Sequence, residues 1–316
     1  MVVLCALLAS CGESDPAEPE AGTTTGAASD AGDDGASTSG AAEDTGAGEG
    51  SSDDAGSESD SGAAETGAVS GCGTDPGFTG VAPGQLDVDG EPRNFQLVLP
   101  DDYDPDNAYP LVFMFHGRGG EGGQLRQYAG VEEASAGEAI FVYPDALPNA
   151  KQGGLTGWDL SSVGIDVAFV DALLADFDAN LCIDQERVFA AGHSHGGFFS
   201  NTLGCFRGDV FRAIGPVAGG GPGVGCKGTV AAWLAHNPDD TTVPIGLGKL
   251  SRNHWLESNA CGEETQVGEP DVCAEYQGCD DGFDVVWCEH EEQAQGSPHG
   301  WPSFAGESIW AFFARY

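Results

Sequence analysis

From residue 95 onward the chain alternates between short apolar runs and stretches whose apolar residues recur at intervals of three and four. Leu111–Phe115 is apolar at every position, as a strand covered on both faces should be. Ala139–Tyr143 repeats that pattern until Pro144 stops it, and Phe95–Leu99, Arg187–Ala191, Ala213–Val217, Val230–Leu234 and Phe283–Cys288 read as further strands. Between them, Asp166–Asn180 places Val167, Val170, Leu174 and Phe177 on one helical face. Phe198–Phe206, Lys249–Leu256 and Ser308–Tyr316 read as helices as well. Such alternation predicts an α/β fold, with a mostly parallel central sheet and helices on both faces. The 245 residues from Cys72 to Tyr316 suffice for one domain of this kind with a well-buried core.

The first seventy residues break the pattern. Residues 13–70 are almost entirely Gly, Ala, Ser, Thr, Asp and Glu, and Val69 is their one sizeable apolar side chain. A segment of that composition buries too little surface to offset the entropy of ordering it, so 12–71 is expected to be a disordered acidic linker. Ahead of it, the apolar run from Val2 is too short to cross a bilayer as a helix. It ends in Leu8-Ala9-Ser10-Cys11, which resembles the lipobox of bacterial lipoproteins, although the basic residues that usually precede such a run are missing. Residues 1–11 are read as a signal peptide with Cys11 the lipidated residue; a signal cleaved without lipidation is the alternative. The expected location is extracellular or at the cell surface, with the membrane touched only through that anchor.

Charge narrows the partners. The chain has 11 Lys and Arg against 51 Asp and Glu, a formal net of −40. The 36 acids and 11 bases from Cys72 onward still leave −25. That balance argues against nucleic-acid backbones and against polybasic docking on anionic lipid, both of which need clustered cations. With Cys5 and Cys11 assigned to the signal, eight cysteines remain, and an even number in an exported chain predicts four disulfides. Cys182, before one strand, and Cys205, at the end of the following helix, are expected at the same edge of the sheet and hence to pair. The four cysteines between 261 and 288 are expected to staple a long surface excursion. There is no CxxC and no HExxH, so no metal and no cofactor are expected.

The chemistry gathers around Gly192-His193-Ser194-His195-Gly196. G-x-S-x-G is a weak motif in so glycine-rich a chain, but here it follows a strand and opens a helix, the setting of a nucleophile elbow. A serine hydroxyl needs a positioned base. His299, after the last strand, supplies one, and Asp240, after the preceding strand, supplies the acid that orients it; Asp239 is the neighbouring alternative. The order Ser194, Asp240, His299 is that of α/β-hydrolases. Oxyanion N–H donors are expected from His195 and from the His116-Gly117-Arg118-Gly119-Gly120 loop, with Arg118 favoured over Gly119. The other histidines, His193, His195, His236 and His254, are read as structural or pocket-wall side chains. Trp158 and Trp301 are candidate cleft walls, with a plain core position the equal alternative for each, and the short interval between Ser194 and Asp240 leaves little chain for a lid.

The segments Arg93–Pro100, Tyr109-Pro110-Leu111-Val112, Gly157-Trp158-Asp159, Asp166-Val167-Ala168-Phe169-Val170, Cys182-Ile183-Asp184 and His299-Gly300-Trp301-Pro302 resemble the extracellular feruloyl esterase and polyhydroxybutyrate-depolymerase-like branch of the α/β-hydrolases. The resemblance covers roughly 72–316 and is vague over 251–290, where substrate choice is expected to be set. It implies a secreted serine esterase, acting as a monomer through an acyl-enzyme on hydroxycinnamoyl esters of plant cell-wall xylan. Acetylxylan and polyhydroxybutyrate are the alternative substrates. A non-catalytic, surface-binding lipoprotein on the same scaffold is the reading from another class, and a filled Ser-Asp-His set argues against it.

Overall fold

The computed structural model describes residues 71–222 and 225–316. The expected signal, Cys11 and nearly all of the expected linker lie outside the described residues. The described strands are β1 (Gly80–Val88), β2 (Glu91–Leu99), β3 (Tyr109–Phe115), β4 (Ile140–Pro144), β5 (Ile183–His193), β6 (Ala213–Val217), β7 (Ala231–His236), β8 (Thr265–Val267), β9 (Cys273–Tyr276) and β10 (Val285–Glu289). They form one sheet in the order β1-β2-β4-β3-β5-β6-β7-β10-β9-β8. The six strands from β4 to β10 in that order are parallel, and antiparallel hairpins extend both edges.

The chain steps from β3 outward to β4, then returns to the other side of β3 as β5. This reversal is the switch point where open α/β sheets bind ligands, beyond the carboxyl ends of their strands. Register sharpens it: Phe115, the last residue of β3, pairs with Gly192 near the end of β5. The loops after these two strands therefore leave the sheet side by side.

Helices cover both faces. On one, α3 (Ile165–Asn180), α4 (His195–Phe206) and α5 (Ile245–Ser258) bring Phe169, Leu173, Phe199, Leu203 and Trp255 against Leu111, Phe113 and Phe115. On the other, α1 (Gly122–Ala129), α2 (Val131–Ser135) and α6 (Ala305–Phe313) bring Leu125, Val131, Ile309 and Phe313 against Val112, Met114 and Phe189. A fully buried ion pair, Arg93 with Asp166, ties β2 to α3.

The predicted strands and helices are present, several of them longer than their patterns suggest. Four elements carry no strong pattern. In β1 half-buried and exposed positions alternate without one fully buried residue, and β8 is exposed throughout. Near the site, α1 opens on Gly122-Gly123 and buries only Gly122, Leu125 and Ala129. The five-residue α2 buries only Val131 and Ser135.

Four disulfides form, as an even cysteine count predicts, but Cys182–Cys205 is not one of them. The pairs are Cys72–Cys182, Cys205–Cys226, Cys261–Cys279 and Cys273–Cys288. Cys182 faces the segment that enters the domain, where Gly71 packs on the backbone of Leu181. Cys205 faces the loop before β7, whose Lys227 and Gly228 N–H groups both donate to its carbonyl. Each cysteine thus has a closer partner on another loop. The remaining two bridges staple the β8–β9 excursion, and Cys273 and Cys288 are register partners across β9 and β10.

Candidate active site

β5 ends at His193, and Ser194 turns the chain directly into α4. Its backbone lies at φ 55°, ψ −118°, a sparsely populated region that costs a non-glycine residue about 1–3 kcal/mol. The turn is held by the Ser194 N–H donating to the Val217 carbonyl at 2.9 Å and by the Phe198 N–H donating to the Ser194 carbonyl at 3.1 Å. Glycine is required on both sides of it. A Cβ at Gly196 would sit 1.9 Å from the Phe115 carbonyl oxygen, and one at Gly192 would sit 2.5 Å from the Gly196 backbone.

The Ser194 Oγ lies 2.8 Å from His299 Nε2, and His299 Nδ1 lies 2.6 Å from Asp240 Oδ2. A carboxylate oxygen only accepts, so Nδ1 carries the imidazole hydrogen and Nε2 is left to receive the serine proton. The Asp240 carboxylate is buried, and its other oxygen accepts the N–H groups of Thr242 and Val243 at 2.8 and 2.9 Å. The loop after β7 therefore holds its own acid in place. Asp239, one residue earlier, is exposed, and its N–H donates to Asn237 Oδ1; the structure brings Asp240, and not Asp239, to His299.

In the loop after β3, the Gly119 N–H donates to the Thr156 carbonyl and the Gly120 N–H to the Gly117 carbonyl. Among the described residues, no carbonyl takes the Arg118 N–H or the His195 N–H at the first position of α4. Gly117 brings this loop to the serine: a Cβ there would lie 3.3 Å from the Ser194 Cβ. Two free N–H groups beside a serine hydroxyl suit an oxyanion.

The cleft above Ser194 has a volume of about 350 Å³, with Arg118, Gln124, Tyr128, His193 and Thr242 in its lining. A larger depression of about 910 Å³ lies at the opposite ends of the strands, near Arg187, Arg212 and Tyr316, and its lining contains no serine or histidine. Two expectations about the cleft need correction. Trp158 and Trp301 are 1% and 2% exposed, and their indole N–H groups donate to the His116 and Ala129 carbonyls at 2.8 and 3.0 Å. They support the loops from beneath and offer no face to a ligand. Residues 251–290 contribute nothing to the cleft lining, because β8 and β9 lie beyond β10 at the far edge of the sheet.

Burial holds the imidazoles of His116, His195 and His236 below the usual histidine range, and pushes His193 down to about 4. These side chains are neutral near pH 7. His116 Nε2 accepts the Ala146 N–H, and His195 Nδ1 accepts the Trp158 N–H. Tyr128, Gln124 and Thr242 carry no motif that marks them in the sequence; the first two sit on α1, whose pattern is too weak to predict.

No family model matches the chain. It is 33% identical to feruloyl esterase D of Neurospora crassa over 270 residues, 78% of this chain and 90% of the relative. It is 34% identical to feruloyl esterase C of Emericella nidulans over 259 residues, 77% and 90% respectively. Among solved structures, an acetyl xylan esterase from Aspergillus awamori superposes with a TM-score of 0.54 at 14% identity, over 66% of this chain and 92% of that one. A ferulic acid esterase superposes with a TM-score of 0.53 at 13% identity, over 75% and 99%. These two superpositions speak to the fold, and the sequence identities to the lineage: the chain belongs to the feruloyl esterase family and is a carboxylic ester hydrolase of the α/β-hydrolase fold.

Proposed function

We propose that the protein is an extracellular serine esterase that releases hydroxycinnamoyl groups, feruloyl foremost, from plant cell-wall xylan. The observation that carries the mechanism is the continuous hydrogen-bonded series from Ser194 through His299 to Asp240 at the end of β5. His299 Nε2 takes the Ser194 proton as Oγ attacks the ester carbonyl carbon. The carbonyl oxygen becomes an oxyanion between the N–H groups of Arg118 and His195. Collapse expels the sugar alkoxide, which leaves as the alcohol with the proton held on His299, and an acyl-enzyme remains on Ser194. Water then attacks with His299 again as base, and the acid and free Ser194 are released. Asp240 keeps the imidazole in the Nδ1–H tautomer and stabilises the imidazolium formed in each half-reaction.

The substrate class rests on the relatives at 33% and 34% identity, which are feruloyl esterases. The four disulfides support export to an oxidising compartment. A lipid on Cys11 would keep the enzyme at the cell surface, with 12–71 as its tether. Methyl ferulate, p-nitrophenyl acetate and soluble polyhydroxybutyrate separate the substrate readings. The proposal expects the highest kcat/KM on methyl ferulate. A preference for the acetyl ester or the polyester would reassign the acyl group, and hydrolysis of none of them would remove the esterase reading of this site.

A further inference from the structure

We propose that His193, held by Tyr128, is a positioning residue for the base His299; this rests on the assignment of His299 as base. His193 stands immediately before the nucleophile, at the end of β5, and its ring reaches the segment that carries His299. Its Nε2 lies 2.7 Å from the His299 carbonyl oxygen, and its Nδ1 lies 3.0 Å from the Tyr128 hydroxyl. The assignment of hydrogens follows from the partners. A carbonyl oxygen only accepts, so Nε2 carries the hydrogen, and Nδ1 then accepts the Tyr128 O–H.

The chain of bonds runs from α1, through the residue next to the nucleophile, into the backbone of the base. His299 lies between the 3-10 turn Ala294–Gly296 and α6, in a loop with hydrogen bonds within itself and to α1: the His299 N–H donates to Ser297 Oγ at 3.1 Å, the Gly300 N–H to the Ser297 carbonyl at 3.0 Å, the Trp301 N–H to Gln295 Oε1 at 3.0 Å, and the Trp301 indole N–H to the Ala129 carbonyl. Among the described residues, the bond from His193 is the one that ties the backbone of this loop to β5, the strand that leads into Ser194. It couples the height of the imidazole above the sheet to the height of the hydroxyl it must reach.

The surroundings favour this arrangement. Tyr128 and Trp301 pack edge-on against the His193 ring at 5.8 and 6.0 Å, and the His299 ring lies tilted at 5.3 Å. The charged or titratable groups facing His193 are Tyr128, His299 and Asp240. Burial keeps the ring neutral near pH 7, with one N–H to donate. Tyr128 is held by burial as the phenol, at about 12, and so remains a donor across the working range.

The test compares His193→Ala, His193→Gln and Tyr128→Phe with the unaltered protein, using p-nitrophenyl acetate and a fluorophosphonate that phosphonylates Ser194. Gln places an amide N–H where Nε2–H stands. Misplacing a reacting group by about 1 Å costs about 10²-fold, so His193→Ala should lower kcat and the phosphonylation rate by about 10- to 100-fold with KM little changed. His193→Gln should recover most of that loss, and Tyr128→Phe should lose only a few-fold. Phosphonylation at the unaltered rate in His193→Ala would overturn the proposal. So would a loss in which KM rises in step and Gln brings no recovery, which would make His193 a substrate contact. If His193→Ala fails to fold, full activity in Tyr128→Phe together with an unrecovered loss in folded His193→Gln overturns it equally. Failure of Ser194 to react in the unaltered protein is a different result, and strikes the nucleophile assignment itself.

Discussion

β3 at the centre of the sheet is buried at every residue, from Tyr109 to Phe115, and contains no cysteine of its own. β8 at the far edge is exposed at every residue, and the excursion that contains it is closed by Cys261–Cys279 and Cys273–Cys288. The first region is held by apolar area removed from water, the second by covalent limits on the chain that would otherwise leave it. The proposed chemistry is placed at the end of the first. Hydrogen bonds of 2.6 and 2.8 Å between three separate loops need strands that do not shift, and close-packed interiors provide that. The stapled excursion, absent from the cleft lining, is free to be polar.

The contrast is most severely tested at the proposed nucleophile. Ser194→Ala should lower kcat on methyl ferulate by about 10⁶-fold, the scale seen when a triad serine is removed, while the thermal midpoint stays where it was. Substantial residual turnover would mean that the centre of the sheet does not house the reaction. Next in size is the acid. An Asp→Asn change at this position preserves shape but permits the wrong imidazole tautomer, at up to about 10⁴-fold in kcat. Asp240→Asn should therefore be severely impaired and Asp239→Asn nearly normal, measured on one ester at one pH; the reverse ranking would move the acid to Asp239.

A pair of stability measurements sharpens the comparison further. Phe113→Ala, in the buried strand, should cost about 3–5 kcal/mol in urea unfolding. The double change Cys261→Ser with Cys279→Ser opens a loop of 18 residues and should cost about 2–3 kcal/mol, with kcat retained. Loss of activity in the cysteine variant would tie the excursion to the site after all.

The smallest expected effect is acid sensitivity. His116, His193, His195, His236, His254 and His290 are all held below their ordinary value by burial. The unfolded chain binds protons at these rings near pH 6.5 and the folded chain does not, so stability is full above that value and falls as pH drops toward 4. None of the six lies on β8 or β9. Urea midpoints at pH 7.5, 6 and 5 should decrease in that order; a midpoint that rose on acidification would contradict the burial of these side chains.

What the sequence exposed and what it concealed differ by the same division. The apolar runs of β3, β4 and β6 announce themselves because strands covered on both faces have no polar alternation to blur them. The motif around Ser194 is legible because the elbow excludes all but glycine at 192 and 196. Spacing favours Asp240 but leaves Asp239 as an alternative, and it is burial of Asp240 against the His299 imidazole that separates the two. Tryptophan, by contrast, signals burial or recognition equally well. Which applies to Trp158 and Trp301 depends on the carbonyls of His116 and Ala129, which are remote in sequence. The Cys182 pairing is hidden for a related reason: its partner, Cys72, is 110 residues away, outside the neighbouring elements. Nothing in the sequence marks Tyr128, because α1 opens with two glycines and offers little apolar stripe.

The pairing of Phe115 with Gly192 sets a gauge. The segments that carry the two N–H groups proposed to receive the oxyanion leave the sheet from adjacent strands at the same level, with the strands spaced by about 4.8 Å. Hydrogen bonds of the ladder resist stretching in that direction, whatever residues occupy the loops. The walls above, Gln124 and Thr242 among them, can therefore be rebuilt to admit a different acyl group while the two strands beneath keep their spacing. A designer who wishes to change the ester taken by this protein has the loops to work with, and should leave the rails alone.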